Sequence, residues 1–376
     1  MAKSVGFPCV KSKGFYLLQA IAISGELPIT QAKRLIGGGR YYEKVITRLK
    51  ADGYITAYGK SGLYGYRLTR AAKDRLVSTR PGRFEYFLSG NTATNHVRSE
   101  YPQRLRCHSM SEVNVTMLKG GVSIFLDEKP DVFYPFDGEA LDLPDITEPL
   151  FFSSREVKDM GIDATGIQGS RSMGLLLTPG DLFITYNAAG GSLKMDYKPE
   201  MRLKALVRTT LCGDRLSHQY TPDNIRGLFF GDSMELAARL LGESQGKTRN
   251  YFIFDGGYDH FHFLTNDDRG EVILKILCNP KLHDMLHQVL SIGLLARNPG
   301  SVFENDATDS GGHPVLFAFD CDLPRISRFN RSMLTHEGIG TLICFDFQAD
   351  ALRRFCSDSM VFQTIDFVKF VGRYVC

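Results

Sequence analysis

Residues 15–68 set out three short helix patterns and then two strand patterns around a glycine-bounded turn, and this order constrains the fold more than any other feature of the chain. In Phe15-Tyr16-Leu17-Leu18-Gln19-Ala20-Ile21-Ala22, the apolar Leu17, Leu18 and Ile21 share one helical face, and Ser24-Gly25 ends the pattern. Thr30 is expected to cap a second helix, Gln31 to Ile36, which stops at Gly37-Gly38-Gly39. A third helix over Arg40 to Lys50 buries Tyr42, Val45, Ile46 and Leu49, and so turns Arg40, Tyr41, Lys44, Thr47 and Arg48 outward. Tyr54 to Tyr58 and Leu63 to Leu68 flank Gly59-Lys60-Ser61-Gly62 as a hairpin with Lys60 at its tip, and Thr69 caps a helix from Arg70 to Val77.

Charge divides at the same place. Residues 1–80 hold 15 Lys or Arg against 4 Asp or Glu, a net of +11, which leaves 30 against 38, or −8, for the rest. A compact basic module attracts a polyanion and an acidic body does not. A length of 376 residues with 43% apolar and 23% charged residues fits two or three folded domains. The absence of an eighteen-residue apolar run and of an apolar leader points to a cytoplasmic protein without a membrane segment. Eight cysteines scattered singly fit reduced thiols better than disulfides or zinc.

The order helix, helix, helix, hairpin, joined by Leu49-Lys50-Ala51-Asp52-Gly53-Tyr54-Ile55, resembles the winged helix-turn-helix family of bacterial regulators and plasmid proteins. That resemblance implies double-stranded DNA as the partner, with the third helix in the major groove and Lys60 on the wing against phosphate or minor groove. Lys33 and Arg34 of the second helix join the expected DNA-contacting set. A winged helix used only for protein contacts is the plainer alternative.

Residues 81–106, polar and rich in Ser, Asn, Thr and Arg, read as a linker with some helix, followed by an α/β core over 107–225 and an α/β region over 226–376. In the core, a helix over Ser154 to Met160 precedes strands Met173 to Leu177 and Leu182 to Tyr186. A third strand ends at Lys194-Met195-Asp196-Tyr197-Lys198, and Pro199 opens a helix from Glu200 to Leu211. With Glu156, Asp181 and Asp196-x-Lys198 in sequence, the segment resembles the restriction-endonuclease-like superfamily. The resemblance implies Mg²⁺ held by the acidic pair Asp181 and Asp196, Glu156 as a further acidic member, and Lys198 acting on water. Pro-Gly-Asp stands where that family has Pro-Asp, and Asp and Lys beside a glycine turn are common solvated residues, so a catalytically silent relative is the alternative. No other cofactor is expected. Gly242 to Thr248 has three residues between its glycines where a phosphate loop has four, and it follows a helix. His260 and His262 beside Asp255 and Asp259 could hold a metal, although packed histidines of an aromatic segment are the commoner case.

From residue 227 an apolar run, an aspartate and then a helix recur at Leu228 to Asp232, Tyr251 to Asp255, Val315 to Asp320, Thr341 to Asp346 and Val361 to Asp366. Such runs predict a mixed or mainly parallel sheet in a multi-domain α/β chain. A carboxylate cluster of Asp320, Asp322, Asp346 and Asp366 is conceivable there, but helix capping accounts for every repeat.

The whole arrangement resembles the replication-relaxation-type proteins of Gram-positive plasmids and conjugative elements. This implies a sequence-specific DNA-binding accessory protein of plasmid replication or conjugation on a mobile genetic element. Its body would serve partner contacts with a relaxase or replication initiator, or with a second copy as a homodimer. The alternatives are a Mg²⁺-dependent DNA endonuclease targeted by the winged helix and a transcription regulator with a ligand- or partner-sensing body.

Overall fold

The computed structural model describes residues 6–133, 143–159, 167, 169–188, 197–243 and 257–375, and no helix among them is long and apolar enough to cross a membrane. The chain divides into two units, Met1–Lys119 with Ser123–Pro130, and Gly120–Val122 with Asp131–Cys376. In the first, α1 (Lys13–Ser24), strand β1 (Glu26–Pro28), α2 (Ile29–Ile36) and α3 (Gly39–Ala51) precede the hairpin β2 (Ile55–Lys60) and β3 (Leu63–Leu68). The expected helices and hairpin are present, and β1 is additional. It pairs antiparallel with β3 to give a sheet of order β1-β3-β2. The hairpin turns on two residues, Ser61 and Gly62, both at positive φ (54° and 79°), the backbone a tight two-residue hairpin loop requires.

Helix α2 starts at Ile29, so Pro28 rather than Thr30 holds the cap position and no side chain caps it. Pro28 already belongs to β1, and its fixed φ leads directly into the helix. Thr69 does cap the following α4 (Arg70–Thr79), its hydroxyl accepting from the Ala72 N–H.

Residues 81–106 are not a linker. They hold α5 (Pro81–Leu88) and the start of α6 (Tyr101–Lys119), both inside the first unit. The polar stretch between them is tied down by hydrogen bonds: Lys73 Nζ donates to the Asn95 carbonyl, and Arg67 to the carbonyls of Val97 and Arg98.

The cross-link of this unit is Glu26, fully buried on β1. Its carboxylate accepts from Arg67 Nε at 2.7 Å and Arg104 Nε at 3.0 Å, and lies 2.8 Å from His108 Nε2. Arg104 and His108 come from α6, and Arg104 also donates to the carbonyls of Lys60 (2.7 Å) and Leu63 (2.9 Å), one on each strand of the hairpin. Gly65 on β3 makes the approach feasible, because a Cβ there would stand 2.9 Å from Glu26 Cγ and Oε1. Burial alone would raise the Glu26 pKa, but the hydrogen bonds from His108, Arg104 and Arg67 outweigh it and hold the group at about 2.

In the second unit, β4 (Leu150–Ser153), α7 (Ser154–Lys158), β5 (Gly174–Leu177), β6 (Leu182–Asn187), α8 (Tyr197–Val207), β7 (Ile225–Gly231), α9 (Met234–Glu243) and β8 (Phe261–Thr265) build a sheet of order β4-β5-β6-β7-β8. Its first two pairings are antiparallel and its last two parallel. Strand β6 is buried along its whole length, as a central strand covered on both faces must be. Helices α10 (Asp268–Cys278) and α11 (Pro280–Leu290) lead to the second sheet: β9 (Leu295–Ala296), β10 (Ala307–Thr308), β11 (Pro314–Phe317), α12 (Leu323–Thr335), β12 (Gly340–Phe345), α13 (Asp346–Arg353), β13 (Met360–Ile365) and α14 (Phe367–Tyr374). Strands β11, β12 and β13 are parallel, and β10 and β9 add antiparallel to β11. One apolar core runs through both sheets, from Leu177 and Phe229 to Leu316 and Cys344. The expected division at 225/226 therefore cuts through one sheet, since β7 begins at Ile225 and pairs with β6.

Glu26→Gln removes the charge that Arg104 needs while Arg104 stays buried, so we expect a loss on the order of 3 kcal/mol. The folded pKa of Glu26 is depressed, so its stabilisation is complete above about pH 4.5 and fades as pH falls towards 2. Urea unfolding of the full chain between those limits, followed by hydrogen exchange at the β3 amides, should show the fading in wild type and not in the variant.

Candidate nucleic-acid interface and a histidine–aspartate junction

Helix α3 buries Tyr42, Ile46 and Leu49, leaves Val45 half-buried, and exposes Arg40, Tyr41, Lys44, Thr47 and Arg48. Tyr41 is 54% exposed, a large ring left in solvent. The inner face is joined to the hairpin by a buried hydrogen bond of 2.8 Å between the Tyr42 and Tyr66 hydroxyls. Arg48 lies 3.6 Å from Asp52, a loose pair between an exposed guanidinium and a largely buried carboxylate. Lys60 is exposed at the end of β2, where Arg104 holds its carbonyl. Lys33 is exposed with its ammonium 5.8 Å from the Tyr42 ring. Arg34 is different: its guanidinium donates to Gln31 at 3.2 Å and to Thr116 of α6 at 3.0 Å, which makes it a pin between helices rather than a surface contact. The hairpin also offers Tyr64, 63% exposed, which sequence reasoning passed over as a strand residue. The first unit carries 21 Lys or Arg against 9 Asp or Glu.

Of the residues expected for metal-dependent chemistry, Glu156, Asp181 and Lys198 are described, and these three are not brought together. Glu156 is buried in the capping box of α7, its carboxylate accepting from the Ser153 N–H at 2.7 Å. Asp181 precedes β6 and pairs with Arg226 at 2.7 Å. Lys198 is exposed in the first turn of α8 rather than on a strand, so Pro199 sits two residues inside the helix. Asp196 lies outside the described residues. Tyr186, near the far end of β6 from Asp181, bonds Glu200 of the same α8 turn as Lys198 at 3.1 Å, so Asp181 and Lys198 stand at opposite ends of a strand roughly 20 Å long. The carboxylate that does enter this core is Glu200, which the sequence reading treated only as a helix start. It accepts from Ser170 Oγ (2.9 Å), the Arg171 N–H (2.6 Å) and Tyr186, and burial raises its pKa.

His260 and His262 meet aspartates other than the two beside them in sequence. His260 Nδ1 lies 2.6 Å from Asp322 Oδ2, whose Oδ1 accepts from the Phe261 N–H at 3.1 Å. His262, fully buried on β8, places Nδ1 3.2 Å from the Asp320 carbonyl and 3.4 Å from its carboxylate. Between the two aspartates, Cys321 adopts the left-handed backbone (φ 51°), a conformation costing about 1–2 kcal/mol for a residue with a Cβ. Its carbonyl accepts from the Phe263 N–H at 3.0 Å, which sews the β11–α12 connection onto the edge of β8. Burial would raise Asp322, but the His260 hydrogen bond and the neighbouring histidine charges hold it at about 2. The Asp255 expected near these histidines lies outside the described residues, and Asp259 offers its carbonyl to Arg328.

Helix capping therefore fails for Asp320 and Asp322, which turn to β8 instead. Asp366 does cap α14 by accepting from the Lys369 N–H, while at the start of α13 Asp346 accepts from the Phe347 N–H and Gln348 from the Phe345 N–H. Among the described residues no group of three or more His, Cys, Asp or Glu is arranged to hold a metal. No protein-family model, curated protein or solved structure matches the chain.

Asp322→Ala removes the acceptor of the Phe261 N–H and the partner of His260, and the buried donor left behind costs about 1–3 kcal/mol. Hydrogen exchange should show the Phe261 and Phe263 amides exchanging faster in that variant at neutral pH, with the β2–β3 amides unchanged.

Proposed function

We propose that this chain is a sequence-specific double-stranded DNA-binding protein that reads the major groove with α3. The observation that carries the reading is the outward row Arg40, Tyr41, Lys44, Thr47 and Arg48 on a helix whose opposite face is fixed in the core. Guanidinium and ammonium groups reach phosphates and the acceptor edge of guanine, while Tyr41 and Thr47 supply apolar and hydroxyl contacts to base edges. The β2–β3 hairpin then acts as the wing, with Lys60 and Tyr64 near its tip, in the manner of winged helix-turn-helix proteins. The second unit, with 24 Lys or Arg against 33 Asp or Glu, is left for partner contacts in an accessory role. Asp181, a residue of the alternative nuclease reading, is paired with Arg226 and stands a strand's length from Lys198.

Binding to duplex DNA should weaken steeply with salt, and the steepness counts phosphates neutralised. Arg40→Ala, Lys44→Ala and Arg48→Ala are each expected to lower affinity, and those that contact phosphate to reduce the log–log salt slope by about 1. Arg34→Ala should leave that slope unchanged, since Arg34 faces Thr116. Affinity retained after deletion of residues 1–130, measured by fluorescence anisotropy, would contradict the proposal.

A further inference from the structure

Helix α11 carries His283-Asp284-Met285-Leu286-His287, two histidines one turn apart. Positions i and i+4 lie on one helical face, and here the ring centroids are 4.6 Å apart with planes inclined by 38°. Both rings rest on one aromatic wall. His283 is 5.5 Å from Phe319, and His287 is 5.2 Å from Phe317 and 5.4 Å from Phe319. The two histidines line an open cavity of about 350 Å³ together with Asp284 and Gln288. The Asp284 carboxylate lies 3.9 Å from His283 Nδ1.

We propose that His283 and His287 bind a divalent transition metal, Zn²⁺ in the first instance. Two imidazoles at helical i, i+4 spacing are a recurring zinc-binding pair, and nitrogen donors suit Zn²⁺, Cu²⁺ or Ni²⁺ where Mg²⁺ and Ca²⁺ require oxygen. Two nitrogens on one tetrahedral ion stand about 3.3 Å apart, given metal–nitrogen bonds of about 2.0–2.1 Å. Rings at this centroid spacing reach that separation by turning about χ2, which is a soft torsion for histidine. Among the described residues no third His, Cys, Asp or Glu completes the set, so the remaining positions fall to water or an incoming ligand. The site is independent of the DNA-binding reading, since both histidines belong to the second unit.

Metal-stripped full-length protein is titrated with ZnCl₂ at about pH 7.5 by isothermal calorimetry, where imidazoles are mostly neutral. One equivalent should bind. His283→Gln and His287→Gln should each weaken binding at least tenfold, about 1.4 kcal/mol, and His313→Gln should leave it unchanged. Lowering the pH to about 5.5 should weaken it as well, because protons compete for both rings. Cu²⁺ bound to wild type should show nitrogen hyperfine coupling from two imidazoles by electron paramagnetic resonance, a test that needs no variant to fold. Absence of Zn²⁺ uptake by wild type, equal affinity in the double variant, an equal loss in His313→Gln, or a copper spectrum with fewer than two nitrogens would each overturn the proposal.

Discussion

The first unit depends on one buried negative charge. An unpaired carboxylate at the position of Glu26 would be driven to its neutral form, so the fold that buries it must deliver cations to it. Arg67 arrives from the neighbouring strand, but Arg104 and His108 arrive from a helix 78 and 82 residues away in sequence. Because Arg104 also holds the carbonyls of Lys60 and Leu63, the same ion pair that neutralises Glu26 fastens the tip of the hairpin. The hairpin is thereby an arm of fixed geometry and not a loose loop. A surface already ordered before it meets a partner loses less entropy on binding.

This network marks the boundary of what the sequence makes legible. Helices α1 and α3 and the hairpin were readable because their buried positions are apolar and recur with the right period. Helix α6 was not, because the residues it buries include Arg104, His108, Ser111, Asn114 and Thr116, and a polar inner face leaves no hydrophobic periodicity. The signal was present in another form. Positions 104, 108 and 111 keep helical spacing, and a polar stripe of that period fits a helix that packs on a charge. Strand β1 escaped for a related reason: three residues ending in proline carry no pattern of their own, and β3 recruits them.

In the second unit, local sequence showed the strands and hid their partners. Continuous apolar runs at Leu182 to Tyr186 and Thr341 to Phe345 belong to central strands, and they read as such. The aspartates after such runs read as helix caps on local grounds, and for Asp366 the local grounds suffice. For Asp320 and Asp322 a long-range competitor wins, since His262 on β8 and His260 just before it, about sixty residues earlier, meet them instead. The strained turn at Cys321 is what aims both side chains at β8, and its cost is offset by the Phe263-to-Cys321 ladder bond and the Asp322 hydrogen bonds. A reading confined to sequence neighbours has no access to such a competition.

Charge shows the same division between count and placement. The net charge of the first unit says nothing of where its cations lie, and Arg67, Arg83 and Arg104 are paired with carboxylates inside it. Arg83, for example, is buried between Asp127, Glu128 and Gln19. Interior cations matched by carboxylates add nothing to the field that a distant polyanion feels. Among the described residues, Arg40 and Lys44 on α3 and Lys60 on the hairpin have no such internal partner for their charged groups, and all three are exposed. Cations without such partners present their charge at the surface, and α3 and the hairpin hold several of them together. That concentration, more than the total, is what the proposed DNA contact rests on.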